Sequence, residues 1–64
     1  MARAIQSWER VQLRVPYTRT HITRLEKAGL FPRRVRLGAG RVGWVEEEID
    51  AWIESRIAER DGQV

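Results

Sequence analysis

The sequence has no cysteine and only one histidine, and these absences exclude several kinds of site. Without thiols the chain can form no disulfide, no thiolate zinc site and no cysteine nucleophile. A single histidine cannot supply a pair of metal ligands. Because no set of base, nucleophile or metal ligands remains, the sequence predicts a protein that is not an enzyme and that has no catalytic residues, metal or cofactor.

Long apolar runs are also absent, and lysine is scarce. No segment approaches the ~20 apolar residues of a membrane span, so the sequence predicts a cytoplasmic protein with no membrane partner. Lysine occurs once, at Lys27, whereas eleven of the twelve cations are arginine. Because arginine pairs with phosphate and with guanine edges through two parallel hydrogen bonds, this composition favours a nucleic acid as the partner.

The charges are divided unequally along the chain. Residues 1–45 contain ten cations and two acids, a balance of +8, whereas residues 46–64 contain seven acids and two cations, a balance of −5. This division indicates one surface suited to a polyanion and another turned away from it. Composition alone leaves nucleic acid, anionic lipid and an acidic protein open as partners.

The chain is short enough to predict a single domain over residues 1–64, because a chain of this size buries only one small core. We expect an ordered core over about residues 7–60. Residues 1–6 are expected to form a frayed N-terminal arm, and residues 61–64 a loose tail.

Local signals predict two helices joined by a tight turn. Ser7 can cap a first helix over about residues 8–14, which must end there because Pro16 disfavours the α region at the preceding residue. Thr18 can cap a second helix over residues 19–28.

The second helix has two distinct faces, and Gly29 is well placed to follow its C-terminus. At 100° per residue, its inner side contains Thr18, His21, Ile22, Leu25 and Ala28. Its outer side bears only hydrogen-bond donors and no acid. The inner side is predicted to pack on the core, with His21 half-buried at its edge.

A hairpin and a third helix follow. Residues 35–37 and 41–44 alternate as two half-buried strands, and residues 38–40 suit a three-residue hairpin loop. The third helix spans about residues 46–60, begins with three glutamates and carries one apolar stripe. The stripe consists of Ile49, Trp52, Ile53 and Ile57. The predicted fold is mainly α with a small β-hairpin, in the order helix, turn, helix, hairpin, helix, which is a winged helix-turn-helix.

This fold makes the second helix, over residues 18–28, the predicted recognition helix of a DNA-binding protein, placed in a major groove. The predicted base contacts are Arg19, Thr20, Thr23 and Arg24. The wing, over residues 35–44, is predicted to lie on the DNA backbone or in the minor groove. The cations assigned to that contact are Lys27, Arg33, Arg34, Arg36 and Arg41.

Other motifs have structural interpretations. Residues 38–43 match G-x-G-x-x-G, but the dinucleotide fingerprint requires a helix where residues 41–44 read as a strand, so we interpret the motif as a hairpin tip. Trp44 and Trp52 are predicted core residues. Trp8 either covers the edge of the core or is exposed.

Five segments together resemble the AlpA-type prophage regulators. The same segments are similar to the excisionases that share the small winged helix-turn-helix fold and, more distantly, to the DNA-binding domain of MerR-type activators. The resemblance covers about residues 8–60. Its segments are Thr18-Arg19-Thr20-His21-Ile22-Thr23-Arg24-Leu25, Gly29-Leu30-Phe31-Pro32, Val35-Arg36-Leu37-Gly38, Val42-Gly43-Trp44 and Glu48-Ile49-Asp50-Ala51-Trp52-Ile53.

The resemblance implies sequence-specific binding of double-stranded DNA as a regulator of transcription for an integrated element, located in the bacterial nucleoid. An excisionase that bends attachment-site DNA, with an integrase as its partner, is the first alternative. A basic adaptor for an acidic protein is an alternative of another class. Cooperative self-association on DNA is a further expectation, because one domain of this size makes few base contacts.

Overall fold

The computed structural model describes residues 4–62. Among these residues the chain forms three helices and three short strands. In chain order they are β1 (Ile5–Gln6), α1 (Trp8–Arg14), α2 (Arg19–Lys27), β2 (Val35–Gly38), β3 (Arg41–Val45) and α3 (Glu46–Gly62). The strands form one antiparallel sheet in the order β1-β3-β2. The winged helix-turn-helix prediction is confirmed.

The predicted helix caps are confirmed. The Ser7 hydroxyl accepts the backbone N–H of Arg10 at 3.3 Å, and the Thr18 hydroxyl accepts that of His21 at 3.2 Å. Each cap satisfies a backbone donor that the first helical turn leaves without an intrahelical partner. The second helix ends at Lys27, one residue earlier than predicted, with Ala28 as its C-cap.

The hairpin loop is shorter than the predicted three residues. Gly38 pairs with Arg41, so the loop is reduced to Ala39 and Gly40, and a register shift lies between Arg36 and Gly38. Gly40 has a φ of 70°, which glycine adopts without strain. The sequence assigned Gly38 to the loop, but the tight turn makes it the last residue of β2.

The prediction of a frayed arm over residues 1–6 is wrong for its last two residues. Ile5 and Gln6 form β1, which pairs with β3 in the register Ile5↔Val45 and Gln6↔Trp44. The free edge of β3 supplies the backbone hydrogen-bonding groups that this pairing needs, and a two-residue strand has too little periodicity to be recognised from sequence. Residues 1–3 lie outside the described part of the chain.

The core lies where α1, α2, β3 and α3 meet. Its buried members are Val11, Val15, Ile22, Phe31, Trp44 and Ile49. Trp44 is fully buried, and both Trp8 and Trp52 pack against the core half-buried. Trp8 therefore covers the core edge. The helix α3 extends to Gly62, so the loose tail predicted from residue 61 is wrong for Asp61 and Gly62, whereas residues 63–64 lie outside the described part.

The inner face of α2 is narrower than predicted. Only Ile22 is fully buried there, with Leu25 half-buried against the core, whereas Thr18, His21 and Ala28 are exposed. The prediction of a half-buried His21 is wrong because α2 turns only Ile22 and Leu25 toward the core, and His21 lies at the surface with the ring of Tyr17 edge-on at a centroid distance of 4.5 Å.

No helix within residues 4–62 is both long enough and apolar enough to cross a membrane. The third helix is the longest of the three, and charged side chains occur in every one of its turns.

Candidate nucleic-acid interface

The outer side of α2 is open to solvent apart from one residue. The side chains of Arg19, Thr20, Arg24 and Lys27 are exposed, and Thr23 is half-buried. The turn before the helix is tight, because the Tyr17 backbone N–H donates to the Val15 carbonyl at 2.8 Å. The structure therefore places the start of α2 one tight turn after α1, with a polar face exposed to solvent.

Arg19 lies against an aromatic ring. Its guanidinium carbon is 5.3 Å from the centroid of the Trp8 ring, a cation–π contact between α2 and the first residue of α1. The same Trp8 ring lies 6.2 Å from that of Trp44. The contact restricts the conformations of Arg19 without neutralising its charge, so Arg19 remains able to bind an anion.

Thr23 uses its hydroxyl group within the protein. The Oγ1 atom donates to the Arg19 carbonyl at 3.0 Å and accepts a hydrogen bond from Arg34 Nη2 at 3.0 Å. These two bonds explain why Thr23 is half-buried while its neighbours on the outer face are exposed. They leave the methyl group as the part of Thr23 suited to a contact with a base.

Arg33, Arg36 and Arg41 are exposed around the hairpin. Lys27 and Arg33 line a groove between the end of α2 and the start of β2, while Arg36 and Arg41 line a second groove at the hairpin tip. Arg34 lines both grooves, so the two pairs of cations lie on either side of it.

A third groove joins α2 to the hairpin. It runs between Arg19 at the start of α2 and Arg41 at the tip of the hairpin, and Trp8 and the acid Glu9 of α1 form part of its wall. The structure thus brings a predicted base contact and a predicted backbone contact to one depression. Thr20 and Arg24 lie exposed on α2, outside these three grooves.

Arg34 differs from the other cations of the surface. Its guanidinium pairs with the Glu26 carboxylate at 2.5 Å, and its carbon lies 5.3 Å from the centroid of the Trp44 ring. The hydrogen bond to Glu26 raises the pKa of Arg34 above its ordinary value, burial opposes this in part, and the charge of Glu26 adds a smaller increase. Arg34 is therefore a permanent cation whose charge is already balanced.

Sequence reasoning missed two residues of this surface. Glu26 is the one acid of α2, at the boundary between its faces, and only the fold brings it to Arg34, which is eight residues away in sequence. Trp8 was left open between the core edge and an exposed position, and its contact with Arg19 was not predicted. Neither pair has a local sequence signal, because in both cases the two partners lie on different elements.

An ion pair connects the acidic helix α3 to α1. Arg14 of α1 donates through Nη2 to Asp50 of α3 at 2.6 Å and through Nη1 to Gln6 at 3.2 Å. Asp50 is thereby paired, whereas the first turn of α3 carries three glutamates, Glu46, Glu47 and Glu48, which suit the positive end of a helix.

The helix-turn-helix, the wing and the cations across them define a winged helix-turn-helix protein with a basic surface. Residues 3–57, most of the chain, match the family described as "Prophage CP4-57 regulatory protein (AlpA)". The chain therefore belongs to the AlpA family of prophage regulatory proteins. The family expected from the sequence segments is confirmed.

A phage protein is similar to most of the chain. The protein named "Uncharacterized protein ORF88", from Enterobacteria phage P4, is 42% identical over 43 residues. The aligned part covers 67% of this chain and 49% of the phage protein, so the chain spans about half the length of that relative.

Proposed function

We propose that this AlpA-family protein binds double-stranded DNA and regulates transcription of an integrated phage element. The observation that carries the proposal is the groove between Arg19 of α2 and Arg41 of the hairpin, because it joins the two surfaces that a winged helix-turn-helix applies to DNA. Membership of a prophage regulatory family supports the same function. The protein would act at the bacterial nucleoid.

In the proposed complex, α2 lies in the major groove. Arg19, Thr20 and Arg24 are exposed and carry groups that can bond base edges, with arginine suited to guanine. Thr23, whose hydroxyl is already bonded, contacts a base through its methyl group, which suits thymine. These four residues supply the sequence-specific part of the binding.

The wing and the end of α2 hold the DNA backbone. Lys27, Arg33 and Arg36 are exposed beside the grooves next to Arg34 and would each bind a phosphate. Arg41 lies at the hairpin tip, where it can bind phosphate or enter a narrow minor groove. These contacts fix the register of the protein on the duplex.

The acids of α3 orient the approach. Seven acids lie on α3, against two cations. A DNA duplex is repelled from this helix and attracted to α2 and the wing, so the charge division favours a single mode of approach.

The test is fluorescence anisotropy with a labelled duplex of arbitrary sequence, titrated over a range of salt concentrations. Four backbone cations at ~0.9 released counterions per phosphate predict a log–log slope of about −3.6. A folded protein that binds no duplex at low salt would contradict the proposal and favour an adaptor for an acidic protein.

The excisionase alternative uses the same surface and differs in what happens to the DNA. A regulator of transcription is proposed because the family description is regulatory. Cooperative occupancy of tandem sites with strong bending, measured by circular-permutation gel shift, would support the excisionase role, self-association on DNA and an integrase as partner.

A further inference from the structure

The one acid of α2 is fully engaged by Arg34. The Glu26 carboxylate accepts the Arg34 backbone N–H at 2.9 Å, the Nε–H at 3.1 Å and the Nη2–H at 2.5 Å. Its side chain is only 10% exposed, compared with 33% for Arg34. Two N–H groups on one edge of the guanidinium and the backbone N–H of the same residue therefore converge on a single, nearly buried carboxylate.

Arg34 makes two further contacts that fix its position. Nη2 also donates to Thr23 Oγ1 at 3.0 Å, and the guanidinium lies over the Trp44 ring. Thr23 and Glu26 belong to α2, whereas Trp44 belongs to β3 and Arg34 directly precedes β2. One side chain thus contacts the recognition helix on one side and the sheet on the other.

The hydrogen bonds of Arg34 are the side-chain link between α2 and the hairpin in the described part of the chain. Within residues 4–62, every side-chain hydrogen bond that joins α2 to the chain from residue 33 to the end of the hairpin involves Arg34. The segment between α2 and β2 runs over residues 28–34, and such a connection does not by itself fix the angle between a helix and a hairpin. Core packing of Ile22 and Trp44 limits this angle, and the bonds of Arg34 add a directional polar constraint at the surface.

We infer that Glu26 and Arg34 are positioning residues that lock the recognition helix to the wing. The inference rests on the proposed DNA binding and assigns a role to a pair within it. A fixed angle allows base contacts from α2 and backbone contacts from the wing to form together, without a further ordering cost on binding. The sequence-based assignment of Arg34 to the DNA backbone gives a different role, and the two roles predict opposite results.

The experiment compares two duplexes of equal length. One is selected by the wild-type protein from a pool of random-sequence duplexes, and the other has a scrambled sequence. The ratio of the two dissociation constants measures discrimination, and the salt dependence for the scrambled duplex counts phosphate contacts. The variants are Glu26→Gln, Arg34→Gln and the double variant, with Lys27→Gln as the control for loss of a cation.

The positioning role predicts that discrimination falls about tenfold in both single variants, the size of one lost base contact. The same loss of discrimination is expected in both variants although they change the net charge in opposite directions. Glu26→Gln makes the protein more cationic, whereas Arg34→Gln makes it less cationic. The double variant is no worse than either single one, because both changes remove the same link. Arg34→Gln leaves the salt slope unchanged, whereas Lys27→Gln reduces it by about 0.9.

A direct phosphate contact predicts the reverse pattern. Arg34→Gln would then act like Lys27→Gln, with a lower salt slope and unchanged discrimination, and Glu26→Gln would tighten binding to both duplexes. The positioning role is overturned if Arg34→Gln lowers the salt slope without changing discrimination. It is also overturned if Glu26→Gln tightens binding to both duplexes. Discrimination that is unchanged in all three variants also overturns it.

Arg34→Lys covers the case in which a glutamine variant fails to fold. Lysine keeps the charge and a bond to Glu26 but lacks the paired Nε–H and Nη2–H donors of the guanidinium. The positioning role predicts lost discrimination at an unchanged salt slope, and retained discrimination would overturn it. A wild-type protein that binds neither duplex refutes the proposed function and the pair's role together. Wild-type discrimination with variants that follow the phosphate pattern refutes the pair's role alone.

Discussion

Arginines on the basic surface fall into two groups, according to what lies beside the guanidinium. Arg24 and Arg33 are exposed and have no ion-pair partner within residues 4–62, so their charge is available to a polyanion. Arg34 has a nearly buried carboxylate as its partner, and its charge contributes little to long-range attraction. Residue type alone therefore does not identify a DNA contact on this surface.

Arg24→Ala tests whether an arginine without an ion-pair partner contributes to DNA binding. Arg24 lies on the exposed side of α2, so its removal is expected to weaken binding to the selected duplex by about 1–3 kcal/mol, which is roughly 5- to 150-fold. The melting temperature is expected to stay unchanged because no core contact is lost. Anisotropy and thermal unfolding followed by circular dichroism measure the two effects.

The control is Arg60→Ala, which removes one cation from α3. Arg60 pairs with Asp61 at the surface, where both side chains are more than half exposed, so the change is expected to affect neither folding nor DNA binding. A lower melting temperature for Arg24→Ala with unchanged DNA binding would show that Arg24 is structural.

At the scale of elements, the sheet depends on close approach of its strands at Gly43. This residue is buried in β3, and a Cβ atom there would lie 3.1 Å from the Gln6 carbonyl oxygen and 3.2 Å from Leu37 Cδ1, as well as in close contact with Ile5. Neighbours from both β1 and β2 therefore occupy the space that a side chain would need. The pairing of β1 places Ile5 and Gln6 beside the wing.

Gly43→Ala is expected to destabilise the fold by about 1–3 kcal/mol, because the added methyl group must displace backbone as well as side chains. Chemical denaturation gives the free energy of unfolding. The matched control is Gly38→Ala in β2, where nothing lies within 4 Å of the added atom. Equal stability of the two variants would show that the sheet does not close over Gly43.

At the scale of the whole molecule, Trp52 connects α3 to the rest of the fold. Its ring packs edge-on against Phe31 at 4.8 Å and against Tyr17 at 6.2 Å, and its indole N–H donates to the Leu30 carbonyl at 2.8 Å. These contacts join the third helix to the turn before α2 and to the loop after it. One side chain therefore holds three segments around a small core.

Trp52→Ala is expected to cost about 3–5 kcal/mol, close to the whole stability that a core of this size supplies. The variant should be largely unfolded at room temperature by circular dichroism. Ile57→Ala is the control on the same helix, because Ile57 is already 40% exposed and its truncation should cost about 1 kcal/mol. A Trp52→Ala protein of full stability would contradict the packing of α3.

The sequence by itself determined the features that depend on neighbours along the chain. Ser7 and Thr18 fix where the first two helices begin, because a cap bonds a backbone group three residues away. Pro16 ends the first helix through its own ring. The alternation around β2 and β3 and the apolar stripe of α3 completed the winged helix-turn-helix, and the charge division indicated the basic surface.

Only the tertiary structure decided the features that join distant residues. The strand β1 exists because β3 offers it an edge, His21 lies at the surface against the ring of Tyr17, and Glu26 neutralises Arg34 because α2 and the wing meet there. Such contacts have no period and no fixed spacing, so no local pattern reveals them. For the same reason, the sequence gives the number of cations, but only the folded structure shows which of them are paired with an acid.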